Sequence, residues 1–194
     1  EIGVFEMLDK GLAEVANPSE MLLSGRPKGT PGTCVACVME GTRPVLAEVQ
    51  ALVAKTMANV PRRAADGFDF NRMMLLLAVA DKRAGLKTAA FDAYINVIGG
   101  LRLDEPGADL PVALSIASSY RDRPIADDLV AIGEIGLTGE IRTVSHMHQR
   151  LEEAKRLGFQ KCIIPYGRSE RVEIPDGMTA YKVRNLREAI EIAL

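Results

Sequence analysis

The sequence predicts an α/β (α+β) fold with a β-rich N-terminal segment. Two observations carry this expectation. From residue 91 onward, short apolar runs typical of strands alternate with helical patterns. Before residue 60, β-prone runs are separated by turns rich in Gly and Pro. A chain of 194 residues can bury roughly 70% of its unfolded surface and so can fold without disulfide bonds or a structural metal ion.

The β-rich segment, residues 1–60, is predicted to hold strands at 4–7, 33–39 and 44–53. The last two flank Glu40-Gly41-Thr42-Arg43, a turn of hairpin length. Residues 24–32 are dense in Gly and Pro and are expected to form a loop. This loop is not a phosphate-binding P-loop, because Gly29 is followed by Thr-Pro instead of Lys and a hydroxyl residue.

Residues 61–194 are predicted to form the α/β core. Residues 61–67 read as a polar connection, and 70–84 as a helix that Asp69 caps and Gly85 ends. A strand at 91–97 leads to Gly99-Gly100. Asp109 is expected to cap the next helix, with Pro111 in its first turn.

The remaining pattern continues this alternation. Strands are expected at 129–133, 140–144, 161–165 and 178–183, with a helix at 147–157. Asn185 and Glu188 are spaced as a capping box for the final helix. Because no linker separates these elements, one domain over residues 1–194 is predicted.

Composition restricts the function classes. The formal charge of −2 and the pI near 5.8 argue against a strongly basic nucleic-acid module, so any DNA contact must be local. No apolar run approaches the ~20 residues of a membrane span. The chain starts at Glu1 without a signal-like segment, and we expect a fragment of a cytoplasmic protein with no membrane role.

Three cysteines are present, and they cannot all pair. Cys34 and Cys37 lie three apart in a predicted strand and therefore face opposite sides of the sheet. They are poor ligands for one zinc ion despite their C-x-x-C spacing. Buried small side chains are expected instead, with no metal site in this chain.

One run of motifs resembles an enzyme family. Glu105-Pro106-Gly107-Ala108-Asp109 opens an apolar helix, and Asp122-Arg123-Pro124, a Gly-Glu-Ile hairpin at 133–141 and a charged helix follow. This order resembles the proteolytic domain of Lon-type ATP-dependent proteases. The resemblance implies a Lon-protease-like fold, similar to the second domain of ribosomal protein S5. It places Gly107 where the family has its nucleophilic serine and His148 where it has its catalytic lysine.

Both vestigial positions argue against catalysis by this fragment. A Ser-Lys dyad needs a lysine that removes the serine proton, and glycine has no side chain to attack with. An imidazole at 148 could act as a base but would have nothing to activate. Ser115, Ser118 and Ser119 are better explained as packing or surface positions. Ser145 beside His146 is a weak candidate because adjacent side chains diverge.

A second resemblance covers nearly the whole chain. Its motifs include Glu40-Gly41-Thr42-Arg43-Pro44, Phe70-Asn71-Arg72, Arg121-Asp122-Arg123-Pro124 and Gly133-Glu134-Ile135-Gly136-Leu137. They are similar to the C-terminal region of the RadA (Sms) family of bacterial DNA-repair ATPases. The resemblance implies a whole protein of three parts: a zinc module, a RecA-like ATPase core and a non-proteolytic Lon-like domain. No Walker A motif or four-cysteine cluster occurs here, so ATP, Mg and Zn are expected only in absent N-terminal parts.

The resemblance implies a role in DNA repair and recombination, including branch migration, with hexameric ring assembly and a RecA recombinase as partner. For this domain, which lacks the nucleophile, the resemblance implies two roles: ring assembly and nonspecific contact with single-stranded or branched DNA. The helix with Met73, Met74, Ala78 and Ala80 could serve as core or as interface. The candidate DNA contacts are Arg62, Arg63, Lys82, Arg83, Arg121, Arg123, Arg142, Lys155 and Arg156.

Two alternatives remain at this point. One is a Lon-like serine peptidase with a substituted nucleophile, which hydrolysis of peptides would establish. The other is an RNA-binding module, suggested by the S5-like fold and supported by no aromatic RNA-reading cluster.

Overall fold

A computed structural model describes residues 5–15, 17–167 and 172–194 of the chain. The strands are β1 (Phe5–Leu8), β2 (Gly11–Glu14), β3 (Thr33–Glu40), β4 (Arg43–Lys55), β5 (Arg63–Asp66), β6 (Phe91–Val97), β7 (Leu129–Ala131), β8 (Glu134–Ile135), β9 (Ile141–Arg142), β10 (Lys161–Pro165) and β11 (Thr179–Val183). The helices are α1 (Pro18–Leu23), α2 (Phe70–Ala84), α3 (Asp109–Arg121), α4 (Met147–Arg156) and α5 (Leu186–Ala193).

Seven of the described strands form one mixed sheet in the order β11-β10-β7-β3-β4-β6-β5. The pairings β11-β10, β10-β7, β7-β3 and β6-β5 are parallel, whereas β4 runs antiparallel to both β3 and β6. Two small antiparallel hairpins, β1-β2 and β8-β9, lie outside this sheet. The predicted α/β class is confirmed, and the sheet is continuous across residue 60.

The sheet separates two apolar clusters. Helices α2, α3 and α5 pack on one face, whereas α4 packs on the other. Strand β3 shows the alternation directly, because Cys34 belongs to the first cluster and Cys37 to the second. Burial raises the pKa of the Cys34 and Cys162 thiols to about 12 and that of Cys37 further still. The prediction that the first two thiols face opposite sides is confirmed.

Local capping signals place the helix ends where the sequence predicts them. The Asp69 carboxylate accepts the Arg72 backbone N–H at 2.7 Å, and Gly85 ends α2 at a φ of 74°. At α5, Asn185 accepts the Glu188 N–H at 3.0 Å. Glu188 in turn accepts the Arg184 N–H at 2.8 Å. Its carboxylate therefore caps the residue before Asn185, one position earlier than in the standard capping box.

Two predictions about elements are wrong. Residues 63–66 form the edge strand β5 instead of a polar connection, since they pair in parallel with β6. The N-terminal segment also contains α1, where the Asn17 side-chain carbonyl accepts the Glu20 N–H. The strand expected at 4–7 is found at Phe5–Leu8, and Val4 lies outside the described residues. None of the helices in the described ranges is long and apolar enough to cross a membrane.

Candidate functional site

The turn around Gly107 is buried and tied to the β8-β9 hairpin. A short 3-10 turn, Pro106–Ala108, leads directly into α3. The Gly133 N–H donates to the Gly107 carbonyl at 3.2 Å, and the Leu110 N–H donates to the Gly133 carbonyl at 3.0 Å. The start of α3 and the chain that enters the hairpin are therefore held together.

The side chain that lies beside Gly107 is Arg150. A Cβ built at Gly107 would lie 3.4 Å from Arg150 Nη1 and 2.9 Å from Glu105 Oε1. The Arg150 side chain is fully buried and forms a bidentate ion pair with Glu105, with Nη2 donating to Oε2 at 2.8 Å. Nη1 also donates to the Cys37 carbonyl at 2.6 Å, and Nε donates to the Ser145 carbonyl at 2.9 Å.

The structure does not bring His148 to Gly107, because Arg150 lies there instead. The alignment of His148 with the lysine position stays a prediction. Two residues apart on α4, His148 and Arg150 point roughly 200° away from each other. Arg150 faces the core, whereas the His148 side chain is 53% exposed and its Nδ1 lies 3.3 Å from the Glu173 carbonyl. His146 precedes α4 with a φ of 59° and makes no side-chain cap.

Arg150 has a structural role at this turn. A guanidinium cannot be deprotonated in proteins, so it cannot act as a general base. Each nitrogen of the Arg150 guanidinium group donates to a protein oxygen. Gly107 therefore offers no nucleophilic side chain, and Arg150 cannot serve as a base.

The serines named as substitute nucleophiles hold backbone in place. Ser118 accepts the Gly32 N–H at 2.8 Å, and Ser119 accepts the Val53 N–H at 2.9 Å. Ser115 donates to the Val112 carbonyl one turn earlier in α3 at 2.8 Å. All three hydroxyl groups bond to backbone, either that of a neighbouring segment or that of α3 itself, which supports the packing interpretation.

A second ion pair, Arg72–Asp109, joins α2 to α3. Arg72 Nε donates to Asp109 Oδ1 at 2.8 Å, and the Ile135 N–H donates to Oδ2 at 2.9 Å. The Asp109 side chain is 1% exposed. Asp109 was expected to cap α3, but its carboxylate instead connects α2 to the hairpin, and Ala108 at the cap position has no side-chain acceptor.

Between these two ion pairs lies a cleft of about 340 Å³. Its lining carries Arg72 and five carboxylate side chains, those of Asp69, Asp104, Glu105, Asp109 and Glu134. An acidic surface repels phosphate groups. The cleft next to the Gly107 turn is therefore unsuited to DNA.

Three of the predicted DNA contacts are occupied within the chain. Arg63 donates to the Thr88 carbonyl at 2.9 Å and to the Phe91 carbonyl. Arg156 pairs with Glu153 at 2.6 Å, and Arg142 pairs with Glu140 at the same distance. Hydrogen bonds from Thr138, from the backbone and from Arg142 lower the pKa of Glu140 to about 2, so its negative charge offsets that of Arg142 at neutral pH.

Other basic residues lie where α2, the β8-β9 hairpin and α5 meet. Arg187 Nη2 donates to the Arg83 carbonyl at 3.2 Å. The Ile141 N–H donates to the Arg184 carbonyl at 2.9 Å, and the Leu186 N–H donates to the Gly139 carbonyl at the same distance. The α5 basic cluster consists of Lys82, Arg83, Arg184 and Arg187, all of which are exposed.

Gly139 makes this meeting possible. It has a φ of 86°, and a Cβ at this position would lie 2.9 Å from the Arg83 Cβ. Among the residues that the structure describes, no ion pair joins a carboxylate to Arg83, Arg184 or Arg187. Sequence reasoning found Lys82 and Arg83 but missed the other two. Their positions on either side of the Asn185 cap were the available signal.

The remaining candidates lie elsewhere. Arg62 precedes β5 and is exposed, as are Arg121 and Arg123 at the end of α3. Lys155 lies half-buried on α4, on the other face of the sheet from the α5 basic cluster. The predicted DNA contacts therefore do not form one continuous surface.

Comparison with known proteins places this fold and site in a family. Residues 68–168, slightly more than half of the chain, match the family model described as ChlI, subunit ChlI of Mg-chelatase, and the chain belongs to that family. Over all 194 residues the chain is also 49% identical to the DNA repair protein RadA of Listeria monocytogenes, 50% identical to that of Halalkalibacterium halodurans and 48% identical to that of Bacillus subtilis. The resemblance to proteins named RadA is thereby confirmed. The chain spans 42% of the length of each of these relatives.

Proposed function

We propose that this chain is the non-proteolytic, Lon-like domain of a RadA-type DNA-dependent ATPase that acts in DNA repair and homologous recombination. The observation that carries the proposal is the likeness, over the full chain, to proteins named DNA repair protein RadA. ATP and Mg would be bound, and Zn held, by parts of the whole protein outside these residues. Branch migration, a RecA recombinase partner and a cytoplasmic location belong to the same proposal.

The absence of proteolysis is supported by the turn at Gly107. In place of a serine and a lysine it has a glycine and the buried Arg150–Glu105 ion pair. The alternative of a Lon-like serine peptidase would need a nucleophile within reach of a base. The three α3 serines are engaged with backbone groups, and the alternative is disfavoured.

Ring assembly is supported by the outer surface of α2. Met73 and Ala80 are buried in the core, whereas Phe70, Met74 and Leu75 are each more than 40% exposed. One face of the helix thus packs in the core, and another face carries an exposed apolar patch. A second copy of the chain in a hexameric ring would cover such a patch.

Contact with DNA is supported by the α5 basic cluster. Its three arginines lack ion-pair partners among the described residues, so their charges are available to phosphate groups. Such binding is independent of sequence and depends steeply on salt. Six copies in a ring would raise the combined affinity by orders of magnitude through multivalency.

Replacement of two cluster arginines tests the DNA contact. The variant Arg83→Gln/Arg187→Gln is expected to bind DNA more weakly than the parent chain. For a single strand, the slope of log K against log salt should fall by about 0.7 for each phosphate that the variant no longer neutralises. Fluorescence anisotropy with a labelled oligonucleotide at several salt concentrations measures both quantities.

Arg156→Gln is the matched control, because Arg156 is exposed, already paired with Glu153 and carried by the helix on the opposite face of the sheet. It should bind DNA like the parent. If the parent chain stays monomeric in native mass spectrometry and also binds no DNA in a salt-dependent way, the proposed role is wrong.

Restoring a serine at the former catalytic position is expected to produce no peptidase. Gly107→Ser would bring its Cβ to 2.9 Å from Glu105 Oε1, and Arg150 holds that carboxylate in place. Crowding of this kind costs about 1–3 kcal/mol of stability. A fluorogenic peptide assay together with urea unfolding checks both statements, and measurable turnover would contradict the assignment of Arg150 as a structural group.

A further inference from the structure

Tyr166 and Arg184 form an exposed aromatic–guanidinium pair at one end of the central sheet. Tyr166 directly follows β10 and Arg184 directly follows β11. The Tyr166 N–H donates to the Val183 carbonyl at 2.7 Å, which extends the pairing of these strands by one residue. The Arg184 Cζ lies 3.9 Å from the centroid of the Tyr166 ring.

The pair lies at the carboxyl ends of parallel strands. Strands β7, β10 and β11 are parallel, so their carboxyl ends meet at the same edge of the sheet. Tyr166 and Arg184 therefore lie side by side at this end of the sheet. The hairpin that follows β7 is joined to the same edge by the hydrogen bond between Ile141 and Arg184.

Structural packing leaves much of the pair unexplained. Tyr166 stays 46% exposed although a guanidinium covers one face of its ring. Arg184 is exposed, and within the described part of the chain no carboxylate pairs with it. Among the described residues, a flat ring and a flat guanidinium without an ion-pair partner therefore face solvent together.

We propose that Tyr166 and Arg184 bind single-stranded DNA by base stacking, an inference that rests on the proposed DNA contact. Bases stack on aromatic rings and on guanidinium planes whatever their sequence. Within a duplex both faces of a base are already covered, so this contact selects for single strands. The remaining arginines would take neighbouring phosphates, since Arg187 lies three residues beyond Arg184 and bonds to Arg83.

The test compares two probes with equal numbers of phosphates, an oligothymidylate and an abasic strand of the same length. The 194-residue parent chain should bind the oligothymidylate more tightly than the abasic strand. Tyr166→Ala should reduce affinity for the oligothymidylate by about 5- to 150-fold, the range for loss of one stacked base. Its salt dependence and its affinity for the abasic strand should be unchanged.

Tyr166→Phe is the conservative control, because it keeps the ring and loses the hydroxyl group. It should retain the parent's preference, and thermal unfolding of each variant shows whether the fold survives. If Tyr166→Ala binds the oligothymidylate as tightly as the parent, the stacking site is wrong even when Arg83→Gln/Arg187→Gln has lost affinity. If the parent chain binds polyglutamate but neither strand, the surface belongs to an acidic protein partner, and both the stacking site and the proposed DNA contact are overturned.

Discussion

Glu105→Ala is expected to lower the free energy of unfolding by about 3–5 kcal/mol, the largest effect of any single substitution considered for this chain. The substitution removes the carboxylate that pairs with Arg150, whose side chain is fully buried. The guanidinium would keep its bonds to the Cys37 and Ser145 carbonyls but would lose its counter-charge. Urea unfolding followed by circular dichroism measures the change.

The control is the exposed pair Arg156–Glu153, for which Arg156→Ala should cost about 0–1 kcal/mol. A paired replacement, Glu105→Leu/Arg150→Met, should recover part of the loss, since buried apolar side chains often replace a buried ion pair at little cost. A loss below about 1 kcal/mol for Glu105→Ala would mean that solvent reaches Arg150, contrary to its complete burial.

Asp109→Ala is expected to cost about 2–4 kcal/mol, because charged hydrogen bonds are lost in a buried setting. The carboxylate holds Arg72 of α2 and the backbone N–H of Ile135 in the hairpin at the same time. The Arg72 side chain is 29% exposed and can regain some hydration, so the effect should be smaller than that of Glu105→Ala. Hydrogen exchange should speed up at Ile135 before it changes in the central sheet.

Asp69→Ala provides a comparison at α2, the helix that Asp109 contacts through Arg72. It removes the cap of α2 without touching the hairpin, and caps of this kind contribute about 1 kcal/mol. If both variants lose the same stability and leave the exchange rate of Ile135 alone, Asp109 acts as an ordinary cap and the connecting role is wrong.

Much of the fold was predictable because its signals are local. The helix at Phe70–Ala84, with its Asp69 cap and Gly85 end, follows from residues within one or two turns. The β3-β4 hairpin follows from two apolar runs around Gly41. Strand β5 was missed because four residues such as Arg-Ala-Ala-Asp carry no apolar alternation, and only pairing with β6 makes them a strand.

The candidate site was less predictable. Alignment with a protease motif located the turn at Gly107 and selected His148, whereas the structure places Arg150, two residues further along α4, beside that turn. On a helix, two residues of separation turn a side chain to the opposite face. The basic candidates were chosen as neighbouring pairs in the sequence. Whether such a side chain is available to DNA depends on its bonding partners, which are distant in the sequence. Arg63 is bonded to backbone carbonyls, whereas Arg187 was overlooked and lies beside Arg83.

The sequence by itself determined most of the strands and helices, the caps of α2 and α5, and the fact that Cys34 and Cys37 face opposite sides of the sheet. These depend on side-chain period and residue type within a few positions. Only the tertiary structure decided which charges are compensated. Glu105 meets Arg150 across 45 positions and Arg72 meets Asp109 across 37, and Coulomb attraction depends on distance in space and on burial, neither of which sequence spacing contains.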